Sequence, residues 1–97
     1  MTTIIDNDKY DAYSRSFLAG LSKHIEHSLA ETKLSKGEKK ELTSSLVFNV
    51  ACLLDGSGSV EHKKKALIPR LAFQLDGDQS AVIDDGSIAL HELCDLS

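Results

Sequence analysis

The chain has 97 residues, 41% hydrophobic and 27% charged, with one proline and no tryptophan, which suits one soluble globular domain over residues 1–97 and excludes a fibrous or disordered chain. Eleven basic and fifteen acidic residues leave a formal charge of −4. The longest uncharged run, Leu42 to Leu54, is too short and too polar to span a bilayer, and Met1–Asp8 has no basic stretch leading into an apolar one, so a cytoplasmic protein without a signal peptide is expected.

From Asp8 to Lys33, Tyr10, Tyr13, Phe17, Leu21, Ile25 and Leu29 recur every three or four residues and predict a helix. Asp6 or Asn7 can cap its start, and Asp8 and Asp11 fall in the first turn, where carboxylates oppose the exposed amide dipoles. Gly20, inside this pattern, suggests close approach of a second element. Ser35-Lys36-Gly37-Glu38 has the spacing of a capping box and predicts a second helix that buries Leu42, Leu46, Val50, Leu53 and Leu54, widened by Val47 and Phe48, and ends at Gly56-Ser57-Gly58-Ser59. The two helices should form an antiparallel hairpin. Ser59 is placed to cap a short helical turn through Val60 to Ala66, although Lys63, Lys64 and Lys65 would crowd like charges on it.

Beyond Pro69 the period falls to two. Leu71, Phe73 and Leu75 predict a half-buried strand, Asp76-Gly77-Asp78-Gln79 a turn, Ser80–Asp84 a second strand, and Asp85-Gly86 a tight turn into a third, Ser87–Leu93. The three-residue spacing of Leu90, Leu93 and Leu96 also suits a short helix capped by Ser87. The expected architecture is α+β, an N-terminal helical hairpin packed on a small three-stranded antiparallel sheet.

Most chemical motifs fail on inspection. Asp76, Asp78, Ser80 and Ile83 match four positions of a calcium loop, but Ala81 stands where a glycine is needed and Ser87 where a bidentate Glu should close the site. His24, His27 and Glu31 share an edge of the first helix with no second cluster to complete a metal site, and His62 and His91 are isolated, so no metal or other cofactor is expected. Cys52 and Cys94 belong to no ligand motif and read as reduced thiols. Gly56-Ser57-Gly58 lacks the nucleophile-elbow pattern and reads as a linker; with no phosphate-binding loop either, enzymatic activity is not expected. The lysines at 36, 39, 40 and 63–65 lack interleaved aromatics and are offset by net acidity, so direct nucleic-acid binding is not expected.

Charge is instead segregated. Asp76, Asp78, Asp84, Asp85, Glu92 and Asp95 fall in a final segment with no Lys or Arg, and Asp6, Asp8 and Asp11 face only Lys9 at the start. If the helix start and the hairpin lie on one side, these carboxylates can present negative charge to a groove built from Lys and Arg, in place of phosphates. Asp76, Asp78, Asp84 and Asp85 are the central candidates, with Asp6, Asp8, Asp11, Glu92 and Asp95 flanking; Tyr10 and Tyr13 read as core.

The opening Met1-Thr2-Thr3-Ile4-Ile5-Asp6-Asn7-Asp8-Lys9-Tyr10, the chain length, and the acid-rich Leu75-Asp76-Gly77-Asp78 and Val82-Ile83-Asp84-Asp85-Gly86 resemble phage anti-CRISPR proteins that inhibit type I-F surveillance complexes by DNA mimicry. That resemblance implies a monomeric, non-enzymatic inhibitor in the cytoplasm of a bacterial host. It implies a partner surface where the complex's large PAM-reading subunit and its neighbour grip target duplex. A second reading of the same charge is an acidic interaction module, an immunity or antitoxin protein that neutralises a basic partner.

Overall fold

The structure, a computed structural model, describes residues 2–58 and 60–96. A strand that sequence periodicity does not signal comes first: β1, Thr2–Ile5. Asp6 then leaves the strand in an extended conformation (φ −147°, ψ 96°), and its carboxylate accepts from the Lys9 N–H at 3.0 Å, which starts helix α1, Asn7–Leu29. This cap satisfies one of the amides that every helix start leaves without a partner. Ser35 and Glu38 form the expected reciprocal box, at 3.1 and 3.0 Å, and open helix α2, Lys36–Leu54. Gly56, at φ +83°, turns the chain out of α2 in a left-handed conformation that other residues adopt only with strain.

The helices pack as a hairpin; the predicted stripe of α1 lies on the core, as do Val47 and Leu54 of α2, but Leu42, Leu46 and Leu53 of the predicted α2 stripe do not. Tyr10, Ser14 and Leu18 are the buried line of α1, with Phe17, Leu21 and Ile25 flanking; Thr43, Val47 and Ala51 are the buried line of α2. Leu42, Leu46, Phe48 and Leu53 are exposed. Small side chains at Ser14, Thr43 and Ala51 let neighbouring backbones approach, and the large residues then cover the sides of the contact. Gly20 plays no part in this, since a Cβ built there meets nothing within 4 Å.

The predicted hairpin residues also fold differently. Val60–Ala66 is not helical: β2, Glu61–His62, pairs antiparallel with β3, Lys65–Ala66, around Lys63 and Lys64 at φ 50° and 67°. Both central residues are left-handed, as a two-residue hairpin turn of matching twist requires, and the turn keeps the lysine charges off a shared helix face. Ser59, the expected cap, lies outside the described residues.

Among the described residues there is no three-stranded antiparallel meander. β4, Ser80–Ile83, pairs parallel with β1 in the register Thr2↔Ser80 to Ile5↔Ile83, and on its other side meets Leu71–Leu75 only through Phe73, which exchanges bonds of 2.9 and 2.7 Å with Val82. Phe73 is held there by Tyr10, Tyr13 and Phe17, with ring centroids 5.4 to 6.2 Å away. The third strand is replaced by a turn and a 3-10 helix, Leu90–Leu96, whose three-residue period carries Leu90 and Leu93 onto the core against Leu18, Val47 and Ala51. Ser87 does not cap that helix; its N–H donates to Asp85. Among the described residues the chain is α+β, with two α-helices, a short 3-10 helix, one parallel strand pair and one antiparallel pair.

Candidate functional site

Parallel pairing of β1 with β4 joins the two ends of the chain, and with them the two acidic segments. The Asp6 N–H donates to the Ile83 carbonyl at 3.0 Å, and the Asp85 N–H donates to the Asn7 side-chain oxygen at 3.0 Å. Asp6, Asp8 and Asp85 therefore gather at the Ile5 end of the ladder. At the Thr2 end stand Asp76 and Asp78, the latter fixed by the Ser80 N–H, which donates to its Oδ1 at 2.8 Å. The four paired residues between the two groups span about 10 Å at about 3.3 Å per step, and the acids stand beyond both ends of that span.

The candidate acids differ in what they already do. Asp8, Asp76 and Asp78 are exposed and make no ion pair among the described residues. Asp6 spends one oxygen on the helix cap. Asp85 accepts from the Ser87 N–H at 2.9 Å, and hydrogen bonding with Ser87, then with Asn7, holds its carboxyl below the usual range. Asp11 is paired with Arg15 at 2.6 Å. Glu92 is exposed on the 3-10 helix, which packs on the helices and not on this ladder, and the Asp95 side chain lies outside the described residues.

Asp84 must be withdrawn from the set. Its side chain is 5% exposed: Oδ1 accepts from Arg70 at 2.8 Å and Oδ2 from the Ile88 N–H at 3.1 Å. In an extended segment neighbouring side chains point to opposite faces, so Asp85 faces out where Asp84 faces in. Its negative charge is matched internally and anchors the turn that leads to the 3-10 helix.

A second polar cluster escaped the sequence entirely. Asp55, at the end of α2, accepts from the His91 N–H at 2.9 Å, from His91 Nδ1 at 2.5 Å and from the Ser57 N–H at 2.9 Å. Burial opposes ionisation of this carboxyl, but the His91 and Ser57 donors outweigh it and take it down to about 2. Ser57, His91 and Asp55 are the residue types of a hydrolase triad, yet the geometry is wrong for one. The Ser57 hydroxyl lies 3.2 Å from Nδ1, the nitrogen already directed at Asp55, whereas a nucleophile needs the opposite nitrogen. Phe48 stands edge-on to the same imidazole at 5.7 Å. The cluster clamps the 3-10 helix onto the end of α2.

Asp55 and Asp84 both line a polar cleft of about 160 Å³, with Tyr10, Leu54, Pro69 and Arg70. Burial, and then the Asp84 charge, raise the Tyr10 phenol above its ordinary range. No sequence signal joins these residues; the one hint is that Arg70, one of only two arginines, follows the single proline. Among the described residues no three His, Cys, Asp or Glu side chains converge as a metal site would require, and His24 and His27 are exposed on α1. No described helix is long and apolar enough to cross a membrane.

No protein-family model, curated protein or solved structure matches this chain.

Proposed function

We propose that the protein is a non-enzymatic inhibitor that sets carboxylates in place of phosphates against a basic, nucleic-acid-binding groove. The partner proposed is the type I-F CRISPR surveillance complex, at the PAM-duplex site of its large subunit, in the cytoplasm of a bacterial host. The observation that carries this reading is the β1–β4 ladder, which brings acids from distant parts of the chain to its two ends: Asp6, Asp8 and Asp85 at one, Asp76 and Asp78 at the other. The ladder between them covers about 10 Å, about three base-pair rises, so the acids beyond its ends are spread over at least a length along which a groove that grips duplex contacts several phosphates. Asp84 is excluded, and Asp11, already neutralised by Arg15, is secondary.

The test is a mobility-shift competition between the protein and target duplex for the purified surveillance complex, run over a salt series. Asp8→Lys, Asp76→Lys and Asp78→Lys should each weaken the block, and the block should fade as salt rises. A block insensitive to all three reversals would move the interface elsewhere on the domain. Absence of any block in the wild-type protein would remove this partner.

A further inference from the structure

Strand β1 is an edge without the devices that proteins use to blunt edges. Thr2-Thr3-Ile4-Ile5 is an unbroken run of β-branched residues with no Lys, Pro or bulge, every residue is exposed, and Ile5 is 65% exposed. The ladder bonds fix its orientation. Thr2 N–H reaches Gln79 O at 3.3 Å and Asp6 N–H reaches Ile83 O at 3.0 Å, so alternate residues Thr2, Ile4 and Asp6 turn their main chain toward β4. Thr3 and Ile5 therefore turn theirs the other way. Among the described residues β1 pairs only with β4. An open edge of β-branched residues of this kind is a template for an added strand.

The flanking charges select the occupant. Acids stand at both ends of the β1–β4 ladder: Asp6, Asp8 and Asp85 just past Ile5 and Ile83, Asp76 and Asp78 in the turn that leads into Ser80, the partner of Thr2. If two copies paired edge to edge, either strand direction would bring acids of one copy against acids of the other, since both ends are negative. Like charges in facing positions are destabilising. A strand with basic ends meets the opposite situation.

We infer that β1 captures an extended polypeptide segment bearing Lys or Arg at both ends, which adds to the sheet through main-chain bonds to Thr3 and Ile5 and ion pairs to the flanking carboxylates. The inference rests on the acidic edge being a binding surface and specifies how the partner is held: by strand addition as well as by charge.

The test uses a synthetic heptapeptide, Lys-Val-Thr-Val-Thr-Val-Lys, its Glu-ended counterpart, and a version N-methylated at alternate amides, each titrated into labelled protein and followed by amide NMR. The basic peptide should shift Thr3 and Ile5 amides and slow their exchange. The Glu-ended and N-methylated peptides should bind at least about tenfold more weakly. Thr3→Pro removes only the outward-facing N–H, leaves the β4 ladder intact, and should cost a similar factor. If that variant fails to fold, the N-methylated peptide decides on the wild-type protein. Shifts confined to the carboxylate residues, with no effect of N-methylation, would overturn strand addition while leaving the acidic surface in place. No binding of the basic peptide, or a wild-type dimer abolished by Thr3→Pro in sedimentation, would overturn the inference outright. Failure of the phosphate-mimic reading is seen separately, in the charge-reversal competition with the surveillance complex.

Discussion

Asp55 provides the sharpest test of how this fold is held at its C-terminal end. Its carboxylate has a side-chain exposure of 4% and is met by two N–H groups and an imidazole, which lowers its ionisation from the ordinary 3.8 to about 2. At about 1.4 kcal/mol per pH unit, that difference contributes about 2 kcal/mol to stability. The sign follows from the depressed folded value: the contribution is fully present above about pH 4, where the unfolded chain is also ionised, and is lost as pH falls from about 4 to about 2. Urea unfolding of the wild type and Asp55→Asn, compared across this range, cancels the titration of other carboxylates. The variant should be about 2 kcal/mol less stable at pH 6, and the gap should shrink steadily below pH 4. A gap that does not change with pH would mean that Asp55 contributes packing and neutral hydrogen bonds only. Direct titration of the Asp55 carboxyl carbon by NMR near pH 4 would refute the argument at its source.

Two further substitutions follow from the packing. Gly20→Ala should stabilise the protein by about 1 kcal/mol in chemical denaturation, because the added methyl meets nothing and α1 loses a flexible interior glycine. Arg70→Ala should cost more than Asp84→Ala. Removing Arg70, itself 52% exposed, strands a buried carboxylate at a cost of about 3 kcal/mol, whereas removing Asp84 leaves a guanidinium that water can reach and one unpaired Ile88 N–H, costing about 1–2 kcal/mol. The two urea midpoints decide the order.

What the sequence made legible was local. Asp6 and the Ser35/Glu38 box act over three residues, and Gly56 over one, so both helix starts and the end of α2 could be read from neighbouring letters. The buried face of α2 could not, because it depends on which side the 3-10 helix occupies. Large apolar residues mark Leu42 and Leu46 as core, yet close approach favours Thr43 and Ala51 on the adjacent line. β1 was invisible for a different reason: it is four residues long, exposed throughout, and its partner begins at Ser80, at the other end of the chain. Parallel pairing of such distant segments leaves no periodic trace. The Asp55–His91 pair has the same character, its members lying 36 positions apart with unremarkable neighbours.

The acids show most clearly what charge counting omits. Asp84 and Asp85 are indistinguishable as letters, but Arg70 selects one of them for the interior. Among those left outside, anchoring matters as much as exposure. A carboxylate free to rotate loses side-chain entropy when it meets a lysine or arginine, and that loss offsets much of the ion pair. Asp78 and Asp85 each have one oxygen held by a main-chain N–H two residues ahead, which fixes the side chain while leaving the second oxygen available. Asp8 and Asp76 have no such anchor. On the function proposed above, the anchored pair should therefore carry more of the binding per charge. Neutralising Asp78 should weaken competition more than neutralising Asp76, although Asp76→Asn and Asp78→Asn remove the same formal charge from the same turn. Equal losses in the salt-series competition would mean that the partner senses only the field of the edge and not the placement of its oxygens.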